Sequence, residues 1–476
     1  MNKTLMTDFY ELTMAQTYFE SNEKDKIAYF DIFFRSNPFS GGYAISGGLD
    51  SIIEYILNLK FEDDDIEYLR STSCFSENFL AYLKDLKFTG DIYAFEDGTP
   101  VFPNEPALTI KANIIEAQVI ETALLAAFNH GTLVVTAAKR ITHAAQNIPV
   151  MEFGARRARG IDSAIEASKY AYIGGCAGTS NTYAGKKYDI PVLGTMAHSL
   201  VCDSDTEYNA FLSFAKSNPN NCVFLVDTYD TLKSGLVNAI KVADDYLTPN
   251  GLKFKGIRID SGDLSYLSKK ARSMLDKAGY KDTTICISNG LDEDTISSII
   301  AQGAPIDSIG CGDNIAASKE RVGGVYKLVA IEKDGNLIPK IKVSNDQIKT
   351  ITPGYKKVYR FFDKDTGYAL GDVLALADEK IPEDKFTLIC PTEEWKTSTI
   401  NNYVVKEMQK PIFINGKLVY KVKSAKESKV YCEEQFKTLY PELKRKFFPH
   451  QYYVDFTEKL LKLKKDMINE VRNRNK

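Results

Sequence analysis

The 476-residue chain has only four histidines, and His198 stands in PVLGTMAHSLVCDSD (191–205), just after an apolar run that ends in Gly-Thr. Ser199, Asp203 and Asp205 surround it. An imidazole is uncommitted near neutral pH, so the position could carry chemistry, whereas the plainer reading is a structural loop histidine. The stretch EFGARRARG (152–160) carries Arg156, Arg157 and Arg159. Guanidinium planes match carboxylate and phosphate geometry, so this loop could orient an anionic substrate; a surface salt-bridge cluster is the alternative, preferred for Arg159. In GGCAGTSNTYAGKK (174–187), glycines precede Thr179, Ser180 and Asn181 ahead of an expected helix, which suits a backbone cradle for an anion or simply a tight turn. RIDSGDL (258–264) sets Arg258, Asp260 and Asp263 around Ser261 and Gly262. A carboxylate there can hold ribose hydroxyls or magnesium, and Asp263 can equally cap the next helix. In IGCGDN (309–314), Gly310 and Gly312 would let backbone N–H groups approach a phosphate closely. No G-x-x-x-x-G-K-[ST], H-E-x-x-H or G-x-S-x-G pattern is present. What survives is a phosphate-rich substrate, with which a phosphosugar isomerase or lyase would also be compatible.

These residues need elements that bring them to one place. Short apolar runs recur at 148–153, 171–175, 190–195, 222–227, 256–260, 284–289 and 306–310, most of them followed by a helical stretch. Strands buried on both faces and joined by helices form a parallel sheet, open and doubly wound or closed as a barrel. About seven units favour an irregular parallel α/β barrel. Ligands of such folds bind beyond the carboxyl ends of the strands, where the chemistry-bearing residues above fall. The helix in SDTEYNAFLSFAKS is expected to open on a capping box of Ser204 and Glu207.

The runs sit within a longer plan: an N-terminal mixed α/β domain (1–120), the barrel domain (121–324), and a C-terminal β-rich and helical extension (325–476) expected to pack on the N-terminal domain. EAQVIETALLAAFNHG and LVVTAAKRITHAAQ read as two packed helices. DG and DTG turns mark hairpins at 326–344 and 360–372, and Leu460, Leu463, Met467 and Val471 line one face of a last helix. With 60 basic and 63 acidic side chains, the formal charge of -3 gives no global attraction to nucleic acid or to an anionic membrane. Neither a secretory signal nor a membrane-length apolar run is apparent, so the chain reads as cytoplasmic. Eight scattered cysteines without a C-x-x-C pair read as reduced and mostly buried.

Taken together, TDFYELTMAQTYF, FFRSNPFSGGYAISGGL, EFGARRARG, GTSNTYAGKKYDIPVLGTMAHS, RIDSGDL and GGVYKLVAI resemble the nicotinate phosphoribosyltransferase family, in order and spacing, over roughly residues 5–330. The resemblance implies ATP-coupled joining of nicotinate to phosphoribosyl pyrophosphate with Mg2+, giving nicotinate mononucleotide and pyrophosphate for NAD synthesis, by a homodimer with shared active sites. It implies that His198 takes the phosphoryl group of ATP as a phosphohistidine, and that Arg258 and Asp260 line the substrate and hold its phosphoribosyl part. Arg156 would face the nicotinate carboxylate with Ser199 beside it, Tyr10 would stack on the pyridine across a dimer interface, and Gly310 and Gly312 would contact the 5′-phosphate. Thr179, Ser180 and Asn181 complete the expected substrate-binding set. Relatives that use nicotinamide keep an Asp near Ser180 or Asn181, so the uncharged residues here favour the acid; quinolinate is the other alternative. Many relatives have Thr where this chain has Asp313, a departure that puts a phosphate contact there in doubt. A binding protein on the same scaffold is the non-enzymatic alternative.

Overall fold

The computed structural model describes residues 3–344 and 349–474; residues 1–2, 345–348 and 475–476, the last pair being the end of the stretch read as a C-terminal helix, lie outside the described residues. The chain forms two compact units that are each discontinuous in sequence. One comprises Met1–Leu133, Glu320–Lys423 and Val430–Lys476; the other comprises Val134–Lys319 and Ser424–Lys429.

In the second unit, six strands form one parallel ladder in the order Gly178–Thr179, Val150–Glu152, Ser308–Cys311, Thr284–Ile287, Gly256–Ile259, Val223–Leu225. Their sequences are apolar because both faces are covered: Ile257, Ile259, Ile285, Ile287 and Ile309 are fully buried. Helices follow the strands, as at Leu264–Lys277, where the Asp263 carboxylate accepts from the Tyr266 N–H at 2.9 Å. The cap reading of Asp263 therefore holds. At the helical stretch beginning with Thr231, Gly235 is required because a Cβ there would lie 1.8 Å from the Val226 carbonyl oxygen, so the backbone rests directly on the end of the preceding strand.

Three local expectations need correction. The run at 171–175 is the end of the helix Ile161–Ile173, whose residues 167–173 are all buried, so its apolar run resembles that of a fully buried strand; the strand begins at Gly178. The helix Glu207–Ser217 is capped by Thr206, whose hydroxyl accepts from Asn209 N–H at 3.1 Å, so the Ser204–Glu207 box does not form. The two helices expected after residue 115 are a short helix, Ile114–Val119, and a single long one, Glu121–Ala144.

The run at 190–195 forms no ladder strand. Val192 makes one parallel bridge with Thr179, flanked by Thr179 N–H to Pro191 O at 3.0 Å and Leu193 N–H to Thr179 O at 2.9 Å. On its other side this stretch meets the opposite edge of the ladder: Asn221 Nδ2 donates to Gly194 O at 3.1 Å and Leu225 N–H to Met196 Sδ at 3.4 Å. The stretch at 190–196 thus touches both edge strands of the six-stranded ladder, held there mainly by isolated bonds.

The first unit is built on an antiparallel sheet ordered Asn336–Pro339, Val325–Lys333, Ile27–Phe33, Leu108–Asn113, Asp91–Ala94, Lys410–Ile414, Lys417–Leu418. The hairpin between the first two turns at Asp334 and Gly335, both with positive φ. Even-numbered residues of Ile27–Phe33 enter the large core with Ile52, Phe79 and Ile110, while Tyr29 and Phe33 face a smaller cluster with Val329 and Ile351. A second sheet, ordered Tyr403–Glu407, Lys356–Asp363, Ala369–Leu376, Val454–Phe456, contains the fully buried pair Arg360 and Asp372. The guanidinium is bidentate to the carboxylate at 2.8 and 2.6 Å and also donates to Pro100 O, and Tyr452 O–H donates to the same carboxylate at 2.8 Å. Burial and the neighbouring Asp372 push the Glu105 carboxyl well above its usual range.

Two consequences are measurable. Arg360→Ala leaves a dehydrated carboxylate without its cation, a loss of about 3–5 kcal/mol, visible as a lowered thermal unfolding midpoint. Glu11, fully buried on the helix Phe9–Glu20, accepts from Thr7 and from Thr122, the latter at 2.6 Å, yet burial raises its pKa to about 7. A raised carboxyl pKa favours the fold below the unfolded value near 4.5, and that advantage is lost as pH climbs through about 7. Replacing Glu11 with Gln should therefore remove a decline in stability across this window, on the order of 2–3 kcal/mol, in denaturation series run at several pH values.

Candidate functional site

Because the ladder is parallel, its strands deliver their last residues to the same end. There, Asp227 follows Val223–Leu225, Asp260 follows Gly256–Ile259, and Ser288 follows Thr284–Ile287. The Asp260 N–H donates to Asp227 Oδ2 at 3.0 Å, and the Ser261 hydroxyl donates to the same oxygen at 2.5 Å. Ser288 donates to Asp260 Oδ1. Two carboxylates on adjacent strands are thereby fixed without pairing to a lysine or arginine among the described residues.

His198 is the first residue of the short helix His198–Asp203, which continues the irregular stretch at 190–196. Its Nδ1 lies 3.1 Å from Thr228 Oγ1, and its Nε2 lies 3.8 Å from Asp260 Oδ2. The first is a hydrogen bond, and the second is an open charge-to-ring approach. With Thr228 holding Nδ1, Nε2 is the nitrogen left for chemistry. Arg258, on the strand before Asp260, donates from Nη1 to Thr195 Oγ1 at 3.1 Å, while its Nε is buried without a partner. Asp227 Oδ1 is likewise buried without a partner.

That orphaned oxygen tests the fit to a cation. No group of three potential metal-ligating side chains occurs among the described residues. Magnesium, however, is commonly held by one or two carboxylates and completes its shell with water and substrate phosphate oxygens. Asp227 Oδ1 and the Asp260 carboxylate match that pattern.

A second group lies at the same strand ends, around Glu152. Its buried carboxylate accepts from Thr179 Oγ1 at 2.6 Å, from Ser168 Oγ at 3.2 Å and from the Gly154 N–H. Burial raises the Glu152 pKa against these donors. Gly310 and Gly312 face this turn, where Cβ atoms would lie 2.7 Å from the Phe153 ring and 2.8 Å from the Phe153 carbonyl oxygen. Their lack of side chains first serves close strand-to-turn packing. Asp313 is engaged with Arg157 at 3.2 Å.

The structure thus brings His198, Arg258 and Asp260 together and adds Asp227, Thr195, Thr228 and Ser288. Of the added residues, Thr195 and Asp227 are the last residues of the apolar runs 190–195 and 222–227, whereas Ser288 and Thr228 carry no spacing signal. Thr179 lies at the strand ends with its hydroxyl donating to Glu152, and Asn181 caps the helix Thr182–Tyr188 through Ala184 N–H at 3.1 Å. Their side chains serve the fold. Ser180, Ser199 and Arg156 are exposed, Arg156 in the turn Ala155–Arg157 after the strand Val150–Glu152. Arg159 donates to Ser318 O at 3.2 Å, a structural bond in keeping with its plainer reading. Tyr10 belongs to the other unit, on the helix Phe9–Glu20, with its ring half exposed; burial and Glu121 raise its hydroxyl pKa.

Comparison with known proteins bears on this arrangement. Residues 5–129 match the nicotinate phosphoribosyltransferase N-terminal domain, residues 148–355 the nicotinate phosphoribosyltransferase family, and residues 355–464 the corresponding C-terminal domain. The nicotinate phosphoribosyltransferase of Bacillus subtilis is 43% identical over 474 residues, covering 99% of this chain and 96% of the relative. That of Caenorhabditis elegans is 34% identical, covering 96% and 92%. The crystal structure of human nicotinic acid phosphoribosyltransferase superposes with a TM-score of 0.86 at 28% identity, over 97% of this chain and 99% of that one. A nicotinate-nucleotide pyrophosphorylase from Pyrococcus furiosus gives a TM-score of 0.70 at 25% identity, over 92% and 96%. With matches along almost its entire length, the chain belongs to the nicotinate phosphoribosyltransferase family.

Proposed function

We propose that this protein transfers the phosphoribosyl group of phosphoribosyl pyrophosphate to nicotinate, forming nicotinate mononucleotide and pyrophosphate for NAD synthesis, with ATP hydrolysis coupled through His198. Family membership over the whole chain supports the transfer, and the observation that carries the site is the set of His198, Arg258, Asp227 and Asp260 at adjacent strand ends.

Departure of pyrophosphate leaves positive charge on the ribose ring, so the protein must hold the pyridine nitrogen behind C1 and stabilise charge on both sides of the breaking bond. Asp260, fixed by Ser288 and turned toward the open site, is suited to the ribose side. Asp227 and Asp260 would hold Mg2+, which when bound would supply positive charge for the pyrophosphate end of the substrate. Arg258 offers an unpaired buried N–H to the same anionic end of the substrate. Gly310 and Gly312 would contribute backbone donors to the 5′-phosphate, and exposed Arg156 would pair with the nicotinate carboxylate beside Ser199. Ser180 at the position near which amide-using relatives keep an Asp leaves no carboxylate to accept from an amide NH2 or to repel an acid. Tyr10 would supply a stacking face for the pyridine in a homodimer with shared sites.

For the coupling step, the bond from Nδ1 to Thr228 leaves Nε2 as the phosphoryl acceptor. Attack of Nε2 on the γ-phosphorus of ATP would form the N–P bond and release ADP; while Nδ1 keeps its proton on Thr228 the ring itself would be positive and face the Asp260 carboxylate, with the anionic phosphoryl oxygens turned away from it.

A substrate panel tests the transfer. Nicotinate, phosphoribosyl pyrophosphate and Mg2+ should yield nicotinate mononucleotide by mass, with nicotinamide turned over at least about tenfold more slowly, a difference of about 1.4 kcal/mol in the barrier. Product from quinolinate with release of carbon dioxide would overturn the choice of substrate. The His198→Ala variant should lose both the acid-labile phosphoryl label from ATP and the stimulation by ATP, while retaining some ATP-independent synthesis. Undiminished stimulation would remove His198 from the coupling.

A further inference from the structure

The first unit contains a cavity of about 630 Å3 whose lining includes Asn37, Lys356, Tyr453, Asp455 and Lys464. Its polar groups divide into a satisfied set and an unsatisfied one. Lys356 and Asp31 form a buried ion pair at 2.5 Å, and Asp31 also accepts from Thr109 at 2.7 Å, so these charges are committed to each other. Lys464, by contrast, has no carboxylate partner among the described residues; its Nζ reaches the Thr352 hydroxyl at 3.3 Å and lies 5.2 Å from the centre of the Phe456 ring. Asp455 is 5% exposed and its Oδ1 accepts from nothing; Asn37 Oδ1 is also buried without a donor. Burial lowers the Lys464 pKa to about 8, with Lys356 adding to the effect, and raises the Asp455 pKa to about 6 by burial alone. The ammonium and the carboxylate do not neutralise each other.

An occupant that satisfies this wall must bring an anion to Lys464 and N–H or O–H donors to Asp455 and Asn37. A simple carboxylic acid leaves the acceptors bare, and a neutral ligand leaves the ammonium bare. The volume is that of a small-molecule site, and aromatic rings of Phe33 and Tyr453 contribute to its lining. We propose that this cavity binds a nucleoside monophosphate, with its phosphate at Lys464 and an N–H of its base at Asp455, as a site separate from the residues assigned to phosphoribosyl transfer.

AMP serves as the probe, with full-length protein and without other substrates. Calorimetry should detect a saturable AMP site whose affinity falls at least about tenfold in Lys464→Met, equivalent to about 1.4 kcal/mol, while His198→Ala retains it. AMP should also slow acylation of Lys464, mapped by peptide mass spectrometry, whereas adenosine should not and inorganic phosphate should do so only weakly. Thermal unfolding of Lys464→Met reports whether the variant is folded, and Asp455→Asn provides a second change in the same wall, expected to weaken AMP more than inorganic phosphate. AMP binding equal in wild type and Lys464→Met, or no AMP binding to the wild type, overturns the proposal and leaves ordered water as the occupant.

Discussion

Asp227 and Asp260 end neighbouring parallel strands, so the fold delivers two carboxylates to the edge where ligands enter. A partly buried carboxylate must be met by donors to keep its place. The Asp260 N–H and the Ser261 hydroxyl both donate to Asp227, which fixes the first acid against the backbone that carries the second. Everything else in the site is arranged around this pair. Ser288 orients the second carboxylate from the next strand, and the imidazole of His198 approaches from the stretch that precedes Asp227 in the chain. Asp260 faces the His198 ring and Asp227 keeps one oxygen without a donor, so this edge is left open to the hydroxyl donors of a substrate.

The strand rhythm was legible because each run is apolar throughout, and the residues that end the runs carried the chemistry. His198, Arg258 and Asp260 could be found in this way. Periodicity misplaced the run at 171–175, since alanine and aromatic residues there suit a buried helix as well as a strand, and the glycines that follow end either element. Two expected ligand residues also make bonds within the fold. Asn181 caps the next helix, a local role its residue type allows, whereas the Thr179 hydroxyl donates to Glu152 on a strand 27 residues earlier, to which no local pattern points.

The first unit was harder to anticipate. Its strand Ile27–Phe33 pairs with Val325–Lys333, about 300 positions away, as the Ala28–Ile331 register shows. A hairpin can be read from a DG turn, but no local signal specifies a partner across an intervening unit. Charged residues deepen the problem. Arg360, Asp372, Lys356 and Asp31 look like surface residues by type, and yet all four are buried. They are tolerated because each cation meets its anion at short range and further groups satisfy the remaining lone pairs.

His198 belongs to the stave with the fewest backbone ties. One bridge to Thr179 and a few side-chain bonds hold residues 191–196, in place of the continuous ladder that holds the other six. A segment secured this way can shift slightly at low energetic cost, because no row of interstrand bonds must break in concert. Under the proposed coupling, a phosphoryl group on the imidazole would need room that the bare ring does not, and this stave could yield it while the acids beside it stay fixed by their hydrogen bonds. Rigidity and give are thus divided between neighbouring staves.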